Sequence, residues 1–312
     1  MRIAVVGATG RIGAKLTRTL LSAGHQVKAL SRGGAALDAL VKSGAEPVLG
    51  SFDTGTGALN TIFQDVEAAF LMVKTDWSNP HGHYPAVARR FVEALSTSSV
   101  KLAVSLTAIG SEVKGETGHF EGFYHLDEAL NQLENIDLVH LRAGWFMENL
   151  LAWTGAVARH GAIGWSLNPD LKTPWVAIQD IAQLAANELN NPTGEHRVIR
   201  EVGSSDLTMP EIAAIMSREI DRPVEYRFID RNRECIQAEY LKRFGALENW
   251  LDDNNTLAAL NDRVVRFHGA RAPLPTTMDA FIRDTWKPAY LKSLANKDEP
   301  ETFYTWSSAS GR

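Results

Sequence analysis

The chain has one cysteine, Cys235, in 312 residues. A lone cysteine closes no internal disulfide and builds no cysteine metal cluster, which points to a reducing compartment. No stretch approaches the ~20 apolar residues of a membrane span. A basic excess is also missing. The formal charge is -5 and the pI about 6.0, which argues against nucleic acid as a main partner. Strand-like sequence begins at Arg2, leaving no room for a leader peptide, so a cytoplasmic protein is expected. Internal repeats and low-complexity segments are absent.

What is present is ordinary globular composition, 45% hydrophobic and 22% charged. The length suits one large domain with a smaller companion. Ile3-Ala4-Val5-Val6 reads as a strand buried on both faces. A helix over Ile12 to Ala23 follows, closed by Gly24. The pattern continues with strands at Val27 to Leu30, Pro47 to Leu49, Ala68 to Val73, Leu102 to Leu106 and Leu138 to Leu141. Helices at Leu37 to Ser43, Ala86 to Leu95 and Phe123 to Leu133 alternate with them. Such alternation predicts an α/β fold with a Rossmann-type, doubly wound parallel sheet. After Gly144 the pattern loosens. Asp180 is expected to cap a helix reaching Leu189, and a strand follows near Val198 to Val202. Thr208-Met209-Pro210-Glu211 reads as a capping box. From there to about Leu294 the sequence reads as mostly helical, with no further strand-helix alternation. The expected division is a dinucleotide-binding domain over 1–150 and 174–203, a substrate-side domain over 151–173 and 204–297, and a loose tail over 298–312.

Gly7-Ala8-Thr9-Gly10-Arg11-Ile12-Gly13 is the strongest motif. It lies between a strand and a helix. There Gly7 permits a tight turn, Gly10 lets the backbone approach a pyrophosphate, and Gly13 lets helix and strand pack closely. The helix N-terminus then offers free N–H groups and partial positive charge to phosphates. No Gly-Lys-Ser/Thr follows, which excludes an ATPase phosphate loop. The second strand ends in Leu30-Ser31-Arg32, with no carboxylate before Asp38. An NAD-type site would carry an acidic residue there. Arg32, with Arg11 beside it, suits a 2′-phosphate, so NADPH (NADP+) is expected and NADH disfavoured. The bland alternative is a solvated Arg32. Gly50-Ser51-Phe52-Asp53 ends the third strand near the adenine position, where Ser51 hydrogen-bonds the base and Phe52 either packs on it or joins the core.

Further candidates lie at the strand ends, where ligands bind in open α/β sheets. Met72, Val73 and Lys74 follow the fourth strand and lead into Trp77, His81, His83 and Tyr84. His81-x-His83 lacks further ligands at a recognisable spacing, so no metal site is expected. Thr107 ends the fifth strand. His119 and Tyr124 open the next helix as candidate proton donors, or as packing and capping residues. Gly144 and Phe146 follow the sixth strand and are expected to face the nicotinamide. Trp145, Phe146, Trp153, Trp165 and Trp175 form an aromatic cluster in sequence. It is either a core or a pocket for a flat apolar ligand.

Together these residues resemble the NmrA-like group of atypical short-chain dehydrogenases/reductases. Besides the glycine turn, His140-Leu141-Arg142-Ala143-Gly144-Trp145-Phe146-Met147-Glu148-Asn149 resembles the family's LRPGxFMEN segment. Thr173 to Ala182 resembles its PWVxxxDIA segment, Leu207 to Ala213 a further helix start, and Pro275 to Asp284 its closing segment. The resemblance implies a Rossmann fold, a nicotinamide cofactor at the C-terminal edge of the sheet, and a small C-terminal domain forming a cleft. Ser51 and Ala143 depart from the family's usual Asp and Pro. Typical short-chain dehydrogenases use Tyr-x-x-x-Lys, the tyrosine as acid/base and the lysine lowering its pKa. Here those positions fall on Phe120 and Tyr124. Two readings follow. One is an NADPH-dependent reductase of a small, aromatic or quinone-like substrate, with Tyr124 or solvent supplying the proton. The other is a dinucleotide sensor without turnover, acting through a protein partner. The sequence leaves a homodimer open.

Overall fold

The computed structural model describes residues 1–76, 79–115, 117–229, 258–262 and 274–295. Trp77, Cys235 and the tail over 298–312 lie outside them, as do the side chains of His81 and His119. The described chain forms two compact units. One comprises Met1–Gly115, His119–Ala143 and Ile178–Val202, and the other Gly144–Ala177 with the described residues from Gly203 onward.

The first unit is built on a seven-stranded sheet. In chain order its strands are β1 (Arg2–Val6), β2 (Gln26–Ser31), β3 (Glu46–Leu49), β4 (Ala68–Met72), β5 (Leu102–Ala108), β6 (Asp137–Ala143) and, after an excursion, β10 (Arg197–Val202). Their spatial order is β10-β6-β5-β4-β1-β2-β3, and every neighbouring pair is parallel. This is the Rossmann order, with its reversal point between β1 and β4. Parallel strands covered on both faces should be apolar throughout, and Ile3 to Val6 are all fully buried.

Helices α1 (Arg11–Ser22), α2 (Ala35–Lys42), α3 (Gly57–Phe63), α4 (Pro80–Ser96), α5 (His119–Leu130) and α7 (Ile178–Asn190) connect the strands. Helix α1 stops where Gly24 turns to φ +84°, and the His25 N–H closes the turn on the Leu20 carbonyl. Helix α3 has no counterpart in the sequence-based reading, because its seven residues are too few for a periodic signal. Its C-terminal end explains Lys28, a buried lysine in β2. The ammonium donates to the carbonyls of Thr61 (2.5 Å) and Gln64 (3.1 Å), and burial lowers its pKa. Helix α5 begins at His119, ahead of the expected Phe123. Helix α7 begins at Ile178, so Asp180 sits in its first turn and is not the cap.

The second unit holds more strand than expected. Beyond β7 (Trp145–Phe146), a 3₁₀ stretch (Met147–Trp153) leads into α6 (Thr154–His160), β8 (Ala162–Trp165) and β9 (Thr173–Val176). Next come β11 (Ser205–Leu207), α8 (Met209–Ile220) and β12 (Glu225–Phe228). The order β11-β9-β7 makes one small sheet, and β12 pairs parallel with β8. In the region read as mostly helical after Thr208, β12 is an added strand. Glu-Tyr-Arg-Phe is too short to declare itself and is held from outside, since the Tyr226 hydroxyl donates to the carbonyls of Trp165 (2.8 Å) and Leu167. Burial raises that phenol's pKa above its ordinary range. Helices α9 (Met278–Phe281) and α10 (Lys287–Ala295) are joined by a π-helical stretch, Ile282–Trp286. Within it the fully buried Trp286 donates its indole N–H to the Leu150 carbonyl at 3.0 Å.

The capping box of α8 is present. Thr208 Oγ1 accepts from the Glu211 N–H (3.2 Å), and Glu211 Oε2 accepts from the Thr208 N–H (2.8 Å). That backbone bond, with Lys172 nearby, holds the Glu211 carboxyl below its ordinary pKa. The cap's stabilisation is complete above the carboxyl's unfolded pKa and is lost as pH falls through the lowered, folded one. Thr208→Ala is expected to destabilise the fold by about 1 kcal/mol at neutral pH in urea unfolding. The gap between wild type and Glu211→Gln should shrink as the medium is acidified, and a gap independent of pH would contradict the box's ionic share.

Candidate functional site

The glycine turn sits at the head of β1, beside β4. Gly7 has φ +72°, and the Gly10 N–H donates to the Gly7 carbonyl at 2.9 Å. A Cβ on Gly13 would lie 2.2 Å from that carbonyl oxygen, and one on Gly7 would meet the Met72 side chain at 3.0 Å. Helix α1 therefore starts hard against the strand. Gly10 is its N-cap and no side chain caps it, which leaves the first-turn N–H groups for an outside acceptor. Ile12 is buried, while Arg11 is exposed. Thr9 and Ser31, far apart in sequence, meet at 3.1 Å between hydroxyl oxygens, and Ser31 also accepts from the Gly33 N–H. Arg32 is exposed beside them and has no ion pair among the described residues.

The adenine-side candidates behave differently. Ser51 donates to Asp53 Oδ2 at 2.8 Å, which fixes the turn after β3. The Phe52 ring packs on Phe91, with centroids 6.1 Å apart, and joins the core, the bland alternative for that residue. Arg90 donates to the Phe52 carbonyl at 3.2 Å. After β4, Val73 is buried, Lys74 is exposed, and the Lys74 carbonyl lies 2.9 Å from His83 Nε2. Tyr84 is fully buried, with its hydroxyl 2.9 Å from Thr75 Oγ1 and its ring filling the space above Gly122 of α5. It is therefore a structural residue of the α4–α5 contact.

Thr107, at the end of β5, is 3% exposed, and its hydroxyl has no hydrogen-bond partner among the described residues. A buried orphan hydroxyl costs about 1–3 kcal/mol unless something outside the chain satisfies it. Tyr124 is half-buried on α5, with its ring edge-on to His125 at 5.5 Å. Phe120, at the usual tyrosine position, is buried.

Sequence reasoning missed a polar layer beneath α5. Asp127, 2% exposed, receives the Ser111 hydroxyl at 2.8 Å, and the Arg142 guanidinium at 3.1 and 3.2 Å, all on Oδ2. Its Oδ1 lies 2.9 Å from His140 Nδ1, which also faces Ser105 Oγ at 2.8 Å. The hydrogen bond at Nδ1 is the one with Ser105, and Asp127 Oδ1 lies close without sharing it. His140 Nε2 meets Asn131 Oδ1 at 3.0 Å, and Arg142 also pairs with Glu112 at 3.1 Å. The missed signal was the strand period. Ser105 and Thr107, opposite His140 and Arg142 in register, put four polar residues on one face of strands expected to be apolar there.

In the second unit, Gly144 is a packing glycine, since a Cβ would sit 2.4 Å from the Pro174 carbonyl oxygen. Phe146 pairs with Val176 in the β7–β9 ladder. The tryptophans assemble as a cluster. Trp145 meets Trp165 edge-on at 4.7 Å and Trp175 at 6.3 Å, and Trp153 lies 5.6 Å from Trp165. Trp175 is fully buried with no partner for its indole N–H among the described residues, while Trp145 is half-buried. A separate open groove of about 1010 Å³ lies between α8 and β12, lined by Pro210, Ser217, Arg222 and Tyr226 among others. It contains none of the candidate cofactor-binding or catalytic residues. Among the described residues no helix is long and apolar enough to cross a membrane, and no group of His, Cys, Asp and Glu is arranged for a metal ion.

Residues 1–282 match the model of the NmrA-like family. The chain belongs to the NmrA-like family. This NmrA-like protein is 28% identical over 262 residues to an NAD(P)H azoreductase of Xenophilus azovorans, covering 83% of this chain and 86% of that one. Its fold matches an NADPH-dependent quinone oxidoreductase of Escherichia coli complexed with NADPH. The TM-score is 0.70 at 22% identity, over 89% of this chain and 97% of that one. It also matches the negative transcriptional regulator NmrA in complex with NAD, at TM-score 0.72 and 16% identity, over 95% and 97% of the two chains.

In this NmrA-like protein the tightest steric demand is at Gly13. Gly13→Ala is expected to cost about 1–3 kcal/mol, read as a lower melting temperature. Gly57→Ala, where a Cβ meets nothing within 4 Å, is the matched control and should cause no loss. Equal melting temperatures for the two variants would contradict the close approach.

Proposed function

We propose that the protein is an NADPH-dependent reductase of a small, flat substrate, aromatic or quinone-like. One observation carries the reading: the glycine turn delivers an uncapped helix N-terminus beside the exposed cation of Arg32. Among the described residues Arg32 has no ion-pair partner, and that pairing suits a pyrophosphate together with a 2′-phosphate. Gly7, Gly10, Gly13, Arg11 and Ile12 would form the pyrophosphate grip. Thr9, Ser31 and Arg32 would hold the adenosine ribose and its phosphate, and Ser51 and Phe52 the adenine side. Met72, Val73, Lys74, Thr107 and Tyr124 would border the nicotinamide. Membership of the family and the two reductases above support a nicotinamide dinucleotide as cofactor.

When bound, the cofactor supplies a hydride from C4 of its nicotinamide. The chain's own contribution is positioning and proton supply. Thr107 offers a buried hydroxyl with unspent hydrogen-bonding capacity. Tyr124 offers a phenol that can pass a proton to the reduced substrate, with solvent as the other source. Quinone and azo acceptors demand little of a proton donor, which suits a site whose usual tyrosine position is Phe120. The tryptophan cluster of the second unit offers aromatic surface for a flat molecule.

A second reading is favoured by the same Phe120 and Tyr124 substitutions, and by the fold shared with a regulator complexed with NAD. It is a dinucleotide sensor that works through a protein partner. NADPH oxidation measured against quinones, aldehydes, enones and azo compounds separates the two. Turnover of the aromatic acceptors is expected, and tight NADPH binding with no turnover on any of them would transfer the conclusion to the sensor. Arg32→Asp is expected to weaken NADPH at least about tenfold while leaving NADH nearly unchanged, as befits loss of a charged hydrogen bond. Titration with each cofactor reads this, and equal losses would remove Arg32 from phosphate recognition. Tyr124→Phe should lower kcat if the phenol supplies the proton, and unchanged turnover would assign that role to solvent.

A further inference from the structure

The polar layer beneath α5 is costly. Taking an ionised carboxylate out of water costs several kcal/mol, and apolar packing of similar volume is often as stable. The side chains of Asp127, His140 and Ser105 are buried, yet this face of β5 and β6 is filled with hydrogen bonds where leucine and valine fill neighbouring parts of the core. The layer does something apolar packing cannot: it joins three elements at defined atoms. Asp127 belongs to α5, Arg142 and His140 to β6, and Ser111 to the turn after β5.

That turn is built with little freedom. Ile109, Gly110 and Ser111 are buried, the Ile109 N–H donates to the Ala143 carbonyl at 3.0 Å, and the Ser111 N–H donates to the Ala108 carbonyl at 3.1 Å. Ser111 Oγ to Asp127 is its side-chain tie to the helix. The turn stands at the C-terminal edge of the sheet, immediately after Thr107 with its unpartnered hydroxyl. On α5, Tyr124 lies one turn before Asp127, at a spacing that places both on one face.

We infer that Asp127 is a positioning residue: through Ser111 and Arg142 it fixes the turn that follows β5, and with it Thr107 and Tyr124, at the sheet edge where nicotinamide and substrate meet. This rests on the reductase reading for its catalytic consequence, but its effect on cofactor binding does not depend on turnover. Asp127 and Ser111 touch neither substrate nor cofactor in this account, and they act through the turn they hold.

The experiment compares wild type, Ser111→Ala, Ser111→Thr and Asp127→Asn in the full chain. It measures melting temperature, the dissociation constant for NADPH by titration, and kcat and KM with a quinone acceptor. Ser111→Ala removes one hydrogen bond and leaves the Asp127–Arg142 and Asp127–His140 contacts in place. It should raise the NADPH dissociation constant, or lower kcat, about fivefold, with the melting temperature nearly unchanged. Ser111→Thr keeps the hydroxyl and should restore wild-type values. Asp127→Asn should show the larger loss, and if it fails to fold, the Ser111 pair alone decides. A drop in melting temperature with binding and kcat within about twofold of wild type would make the layer purely structural and overturn the inference. Should wild type bind NADPH and reduce nothing, the reductase reading falls, while the dissociation constants of the Ser111 pair still decide the positioning role.

Discussion

Everything at the head of the sheet depends on how closely the start of α1 approaches the end of β1. The Gly7 carbonyl receives the Gly10 N–H and faces the bare Cα of Gly13. That approach lets the helix leave the strand without a capping side chain, so its first N–H groups remain unspent. It also brings Met72, at the end of the adjacent β4, against Gly7. Replacing any one of these contacts by a larger group would move the helix dipole away from the strand ends, and the acceptor it is aimed at would change with it.

The two sides of the sheet's C-terminal edge are stabilised by different physics. Around β1, β4 and α4 the core is apolar, with Phe70, Phe91 and Tyr84 fully buried and the glycine turn resting on it. Around β5, β6 and α5 it is polar and charged, with Asp127 as its hub. An apolar layer tolerates small slippage, because dispersion contacts have shallow directional preference. A charged layer does not, because each hydrogen bond has a narrow range of distance and angle. The more exacting layer lies beneath Tyr124 and Thr107, the side where Phe120 and Tyr124 stand at the tyrosine and lysine positions of typical short-chain dehydrogenases.

The sheet was legible because its strands are short apolar runs set between turn residues, and because the Gly7-Gly10-Gly13 spacing has a specific mechanical meaning. The capping box at Thr208 and Glu211 was legible for the same reason, since two side chains at fixed spacing do one job. Helix α3 and strand β12 were not. Seven and four residues carry too little periodicity, and the groups that hold them, Lys28 for α3 and the Trp165 and Leu167 carbonyls for β12, come from distant parts of the chain. Within the site, Thr9 with Ser31 was legible in position but not in contact. Asp127 was hidden because a carboxylate on a helix reads as solvated until the strands beneath it are known to be polar. Phe52 shows the reverse case. A residue singled out for a ligand role is half-buried and also packs on Phe91 at the edge of the core, a contact no local pattern announces.

The order in which the chain is made gives the interrupted first unit one more consequence. Helix α7 packs on α1, and β10 closes the outer edge of β6, yet both follow the whole Gly144–Ala177 excursion. At ribosomal speed α1 waits roughly ten to thirty seconds for its partner. During that wait a nascent chain carries an uncovered helix face, and then an unpaired strand edge at β6, both open to misassociation. The fold thus completes its nucleotide-binding half late, from the C-terminal side, and the segment around Ile178 to Val202 is the one whose arrival commits it.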